Sequence, residues 1–310
     1  MRCLGESRGT AASKGLRTMF RGTYTAIVTP FAEDGSVDYA AFEKLVGIQL
    51  EAGVAGIVPI GTTGESPTLE DDEKARLIEI CVRRCKGKAQ VVVGTGTNST
   101  AKSIKASRKA QELGADGCLV VNPYYNKPTQ EGLYRHFKAV ADAVKIPIVV
   151  YNIKGRTAVN VETPTLMRLI KDCSNIKAVK EASGDINQMK GVIAKRPKGF
   201  SVLSGDDGIT LELIKAGGDG VISVASNIVP ARMHAMVKAA LSGKMAEAEK
   251  LNAELAPLFE AEFIETNPIP IKAGLAMKGL IKETYRLPMC ELRQQNREKL
   301  KEVLKEMKIL

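Results

Sequence analysis

A chain of 310 residues with 44% apolar content can bury a large core, either as two ordinary domains or as one barrel with an appendage. Its net charge of +10 is diffuse, with no basic block interleaved with aromatics and no Trp, and this argues against a nucleic-acid-binding class. No apolar run reaches the roughly 18 residues of a membrane span, and the six scattered cysteines form no C-x-x-C pair and lie near neither histidine in sequence, so a structural zinc site or disulfide framework has no support and a reducing cytoplasm is the expected setting.

Residues 1–18 carry Arg2, Arg8, Lys14 and Arg17 against Glu6 and have no apolar h-region, so they read as a disordered or non-native arm rather than a secretory signal. From residue 22 a cycle repeats: a β-rich apolar run, a turn-rich segment, then a helical pattern. The runs predict strands at 23–28, 55–60, 90–94, 117–121, 147–151, 176–180, 200–203 and 220–224. Between them, helical patterns cover 38–52, 70–86, 99–113 and 130–144, with Asp38 and Ser99 at cap positions and Gly53, Gly87 and Gly114 after the ends. Eight such repeats predict an α/β fold, a (β/α)8 TIM barrel over residues 19–242. An open doubly wound sheet usually announces itself by a Gly-rich phosphate turn after the first strand. Here that turn reads TPFAEDGS, and GTGTN at 94–98 lacks a third glycine. Beyond residue 242 the strands stop, and 243–310 read as a C-terminal domain of three helices, the last with a Leu300, Val303, Leu304, Met307 stripe. Such an appendage packs on the barrel or on another subunit.

Barrels of this type carry their chemistry at the C-terminal ends of the strands and in the loops that follow. Strand six ends in KEASG, and alternation places Lys180 on one face with Ile176 and Ala178. An amine inside a barrel mouth loses hydration, which disfavours its charged form. A neutral amine attacks ketones to form a Schiff base. The other reading is a lysine that reaches out of the strand end to pair with Glu181 or a loop acid. After strand two, GTTGES offers the hydroxyls of Thr62 and Thr63 between glycines, either to hold a small carboxylate or simply as a capped polar turn. Tyr151 and Tyr125, at or just past strand ends, can pass protons or can be packing residues. Arg156 can grip a carboxylate bidentately or sit solvated at the surface.

Together GTTGES, NPYYNKPTQEGLYRHF, KEASGD, SGDD and NPIPIK resemble, in order from Met19 to the C-terminus, the pyruvate-dependent class I aldolases, and within them the dihydrodipicolinate synthases. The resemblance implies Schiff-base condensation of pyruvate with L-aspartate 4-semialdehyde to 4-hydroxy-tetrahydrodipicolinate, the committed step of lysine and diaminopimelate synthesis. It implies no metal or organic cofactor and a homotetramer built as a dimer of tight dimers. By position, Lys180 is the Schiff-base lysine, and Tyr151 passes protons in a relay with Thr62 and Tyr125, the last reaching across the tight interface into the partner's site. Thr63 holds the pyruvate carboxylate, Arg156 the carboxylate of the semialdehyde, and Gly205 and Ile222 line the pocket through their main chains. N-acetylneuraminate and sugar-acid lyases share the lysine and tyrosine but lack the arginine.

Two departures stand out. The loop YNIKGRTA has Lys154 and Ala158 where the family commonly has proline and glycine, so the segment presenting Arg156 can be set differently. At the positions of the family's lysine-inhibition site, Ser66, Asn98 and Tyr124 are kept, while a histidine becomes Lys74 and an acidic residue becomes Lys102. A lysine repels a ligand ammonium, so weak or absent inhibition by L-lysine is expected.

Overall fold

The computed structural model describes residues 19–310, and the expected arm at 1–18 lies outside the described residues. Eight parallel strands close in chain order into a barrel. They are β1 (Gly22–Ala26), β2 (Gly56–Val58), β3 (Gln90–Gly94), β4 (Gly117–Val121), β5 (Ile148–Asn152), β6 (Ile176–Glu181), β7 (Ser201–Ser204) and β8 (Gly220–Ser223), each within about two residues of its predicted place.

Several of the helices between them start where the sequence supplies a cap. Asp38 accepts from the Ala41 amide at the head of α1 (Tyr39–Glu51), and the Glu73 carboxylate accepts from the Glu70 amide at the head of α2 (Asp71–Cys85). Ser99 and Thr129 cap α3 (Thr100–Glu112) and α4 (Gln130–Ala143) in the same way. A four-residue helix, α5 (Lys154–Thr157), interrupts what the sequence reads as a loop. After it come α6 (Thr163–Asp172), α7 (Ile186–Lys195), α8 (Thr210–Lys215) and α9 (Pro230–Leu241). Then α10 (Met245–Ala261), α11 (Ile269–Met277) and α12 (Gln294–Glu306) complete the chain.

Strand alternation divides the core in two. Tyr24, Ala26, Val58, Val92, Leu119, Val149, Tyr151, Ala178, Leu203 and Ile222 point inward and fill the barrel with Phe20. Their neighbours Ile57, Val91, Val93, Val120, Val150, Val179, Val202 and Val221 point outward and pack under the helices. The outer core is continuous with Leu255, Leu258, Ile271, Leu275, Leu300 and Leu304, so the C-terminal helices seat on the barrel. The Lys278 ammonium donates to the Ile228 carbonyl just past β8, at 2.9 Å, which ties the end of α11 to the barrel mouth.

One expectation is corrected. Ile176 does not share a face with Ala178 and Lys180. The β5–β6 register slips by one residue, pairing Ile148 with Ile176 but Val149 with Ala178, and this bulge turns Ile176 outward into the helix-facing core. Beyond the bulge, alternation resumes.

Candidate active site

In the β5–β6 ladder Tyr151 lies directly opposite Lys180, so both side chains enter the barrel at the same level. Each is 5% exposed, and the Lys180 Nζ lies 4.3 Å from the centroid of the Tyr151 ring. The next pair, Asn152 and Glu181, faces the other way. There Glu181 accepts from Asn152 Nδ2 at 3.1 Å, from Gln188 Nε2 at 3.2 Å and from the Ser183 amide at 3.0 Å. Burial pushes its carboxyl above the ordinary range. Glu181 is therefore spent on the outer face, and the reading in which it neutralises Lys180 fails on strand alternation. Among the described residues no carboxylate comes within salt-bridge distance of Lys180.

Gly205, straight after β7, lets the lysine lie close. Its amide donates to the Glu181 carbonyl at 2.8 Å, and a Cβ placed on it would stand 2.7 Å from Ala182 Cβ and 2.9 Å from Lys180 Cε. Only a glycine fits there without pushing the lysine aside.

The turn after β2 supplies the hydroxyls. Thr29 Oγ1 donates to the Gly64 carbonyl at 2.8 Å, and the Gly64 and Ser66 amides return to the Gly61 carbonyl. Glu65 takes a left-handed conformation, φ 52°, and its carboxylate accepts from Lys272 Nζ at 2.5 Å. Both members of this pair are buried, and Lys272 also lies over the Phe31 and Tyr285 rings. Burial lowers the Lys272 pKa, against the opposing pull of Glu65. The turn is thus tied to α11.

Asn267, just before α11, completes the arrangement. Its Nδ2 donates to Thr63 Oγ1 at 3.0 Å, and its main-chain oxygen accepts from Arg156 Nη2 at 3.0 Å. Lys180, Tyr151, Thr62, Thr63, Arg156, Gly205 and Asn267 line one small cavity of about 40 Å³ at the barrel mouth. A larger cavity of about 500 Å³ shares Thr62, Tyr151, Arg156 and Asn267 with it and extends to Ser66, Lys74, Asn98, Lys102 and Tyr124. Ser66, Lys74, Asn98, Lys102 and Tyr124 thus line one cleft, and that cleft shares lining residues with the small cavity at Lys180.

One expected residue, Ile222, is placed differently. Ile222 belongs to the barrel interior and lies outside the lining of the small cavity. Tyr125 is 90% exposed, with φ 74°, and its own chain does not bring it to Lys180. Arg156 stands on α5, and Ala158 closes that helix at φ 60°, ψ 10°, a backbone state that favours glycine.

Asn267 lies at no strand end, so the rule that places chemistry there does not reach it. It lies in NPIPIK, within the helical appendage, and only the motif itself flagged it. A second unforeseen feature is the approach of buried Asp207, in the loop after β7, to buried Glu262, at the end of α10, whose carboxylate oxygens have no hydrogen-bond partner among the described residues. Asp207 accepts from the Val224 and Ala225 amides at 2.7 and 2.9 Å, while burial first and the Asp207 charge second push Glu262 well above the ordinary carboxyl range. Among the described residues no cluster of three or more His, Cys, Asp or Glu side chains is placed to hold a metal, and no helix is long and apolar enough to cross a membrane.

The chain is similar to known proteins over most of its length. The family model described as the dihydrodipicolinate synthetase family matches residues 19–307. The chain is 51% identical over 292 residues to the 4-hydroxy-tetrahydrodipicolinate synthase of Endomicrobium trichonymphae, covering 94% of this chain and 100% of that relative. Its fold is similar to the crystal structure of dihydrodipicolinate synthase from Aquifex aeolicus, with a TM-score of 0.92, 44% identity, and 94% and 99% of the two chains covered. It is also similar to the chloride-inhibited dihydrodipicolinate synthase of Acinetobacter baumannii complexed with pyruvate, with a TM-score of 0.91, 42% identity, and 94% and 99% covered.

Proposed function

Because the chain belongs to the dihydrodipicolinate synthetase family, we propose that it is a 4-hydroxy-tetrahydrodipicolinate synthase, condensing pyruvate with L-aspartate 4-semialdehyde. The observation that carries the reading is the pairing of Lys180 with Tyr151 inside the barrel, at the base of a cavity that Thr62, Thr63 and Arg156 also line.

The chemistry follows from these positions. The Lys180 amine adds to C2 of pyruvate, and loss of water gives the imine. The carboxylate of pyruvate meets the turn at Thr63. Loss of a C3 proton makes the enamine, whose carbon adds to the aldehyde while Arg156 holds the carboxylate of the incoming substrate. The amine of that substrate then adds to C2 and displaces Lys180, which closes the ring and returns the free lysine. Tyr151 and Thr62 move the protons. Tyr125 joins that relay from the partner subunit, and its exposed ring is consistent with such a role. The reaction needs no cofactor beyond the lysine. The same reading makes 19–242 the catalytic barrel and 243–310 a helical domain, in a cytoplasmic homotetramer of tight dimers.

Borohydride reduction with pyruvate, followed by peptide mass analysis, tests the first half: one adduct is expected, on Lys180, and a folded protein without it would overturn the reading. For the second half, Arg156→Ala should still form the adduct and lose turnover with the semialdehyde. Equal turnover would point to another acceptor.

A further inference from the structure

We propose that Asn267 recognises the α-amino group of the incoming aldehyde through its side-chain oxygen, and so sets specificity for an amino-acid semialdehyde of one hand. The proposal rests on the synthase reading above.

Asn267 is 5% exposed and lines the small cavity with Lys180. Two of its polar groups are committed. Nδ2 donates to Thr63, and the main-chain oxygen accepts from Arg156. The third, Oδ1, is buried and has no hydrogen-bond partner among the described residues. A buried amide oxygen left without a donor is uncommon in folded proteins, and beside a substrate cavity it marks a place for a ligand N–H.

The substrate supplies that donor in the right place. Its amine and carboxylate sit on one carbon, so a carboxylate gripped by Arg156 carries the amine with it. Arg156 Nη2 is within hydrogen-bond distance of the Asn267 backbone, which puts the amine within reach of the Asn267 side chain. The Arg156 guanidinium has no lone pair to offer an ammonium, and the Lys180 nitrogen is bonded to pyruvate at this stage. The hydroxyls of Thr62, Thr63 and Tyr151 are taken by pyruvate and its protons. The amide oxygen is the acceptor that remains. With the aldehyde carbon aimed at the enamine on Lys180, the carboxylate at Arg156 and the amine at Asn267, three points of contact define the configuration at the α-carbon.

The test compares two aldehydes on the pyruvate-loaded enzyme: L-aspartate 4-semialdehyde, and succinate semialdehyde, which has the same carboxylate and aldehyde without the amine. The readout is the ratio of the second-order rate constants at which the two aldehydes consume the Lys180 enamine in a single turnover, a step both can complete because the substrate amine is needed only later, to release Lys180. In Asn267→Ala that ratio should fall by about tenfold to a hundredfold, as expected when a hydrogen bond to a charged group is lost. In Asn267→Asp, which keeps an acceptor at the same place, the preference for the amine should persist. If the alanine variant loses activity equally on both aldehydes, Asn267 acts only by holding Thr63 and Arg156, and the proposal is overturned. A wild-type enzyme that forms the pyruvate adduct but reacts with neither aldehyde would overturn the synthase reading instead.

Discussion

Among the described residues two lysines are buried, and their surroundings differ in one respect. Lys180 in the barrel mouth is 5% exposed, stands over a phenol ring and has no carboxylate within salt-bridge distance among the described residues, the charge of Asp206 acting on it only from farther off. Lys272, under the seam between barrel and α11, is 0% exposed and bonds Glu65 at 2.5 Å. Burial by itself therefore does not make a reactive amine. A buried lysine with an acid beside it is a structural cation, while one surrounded by hydroxyls and a substrate-sized space is available for chemistry.

Exchange of each lysine should separate these roles most sharply. Lys180→Ala should lose on the order of 10⁴-fold or more in kcat, and all borohydride-trapped adduct, while its thermal midpoint holds or rises because an unpaired buried amine has gone. Substantial turnover in that variant would break the contrast. Tyr151→Phe should cost about 10²–10⁴-fold in kcat and slow adduct formation without preventing it, as stopped-flow trapping would read. Lys272→Met strands the Glu65 charge and should cost about 3–5 kcal/mol of stability in denaturant unfolding. The double variant Glu65→Gln/Lys272→Met should recover most of that loss. If Lys272→Met unfolds like wild type, the pair is not the clamp it looks to be.

A smaller effect concerns the other buried charge cluster. The Glu262 carboxyl is raised far above its ordinary value of 4.5, so its folded form holds a proton that its unfolded form releases. Its contribution to stability is complete below about pH 4.5 and is lost progressively as pH climbs from there through the folded value, by up to about 1.4 kcal/mol per pH unit. Glu262→Gln cannot ionise. Its melting temperature should therefore fall less than that of wild type between pH 5 and 8, and parallel curves would mean that Glu262 is ionised in the fold. Smaller still, Ala158→Gly should stabilise the protein by about 0.5–1 kcal/mol by relieving a left-handed alanine. Smallest is the response to L-lysine. With Lys74 and Lys102 lining the large cleft, half-inhibition is expected only above about 1 mM, a binding free energy weaker than roughly 4 kcal/mol.

Local periodicity and capping were legible in the primary structure. Alternating apolar residues bounded by turns placed all eight strands, and side-chain caps such as Asp38 and Ser99 marked helix starts, because each depends on neighbours within a few residues. The rule that strand ends carry the chemistry then reached Lys180, Tyr151, Thr62, Thr63 and Arg156, all of which line one cavity, while Gly205 beside them was implied by the family resemblance alone. What it did not reach depends on distant segments meeting. A one-residue slip against β5 turned Ile176 outward, and no periodicity within β6 reveals a partner's register. Asn267 meets Thr63 from 204 residues away, and Lys272 meets Glu65 from 207, so their roles arise only when α11 closes over the barrel mouth. Side-chain type and spacing can announce a nucleophile. Which acid neutralises which lysine, and which amide oxygen is left free for a substrate, is decided by packing.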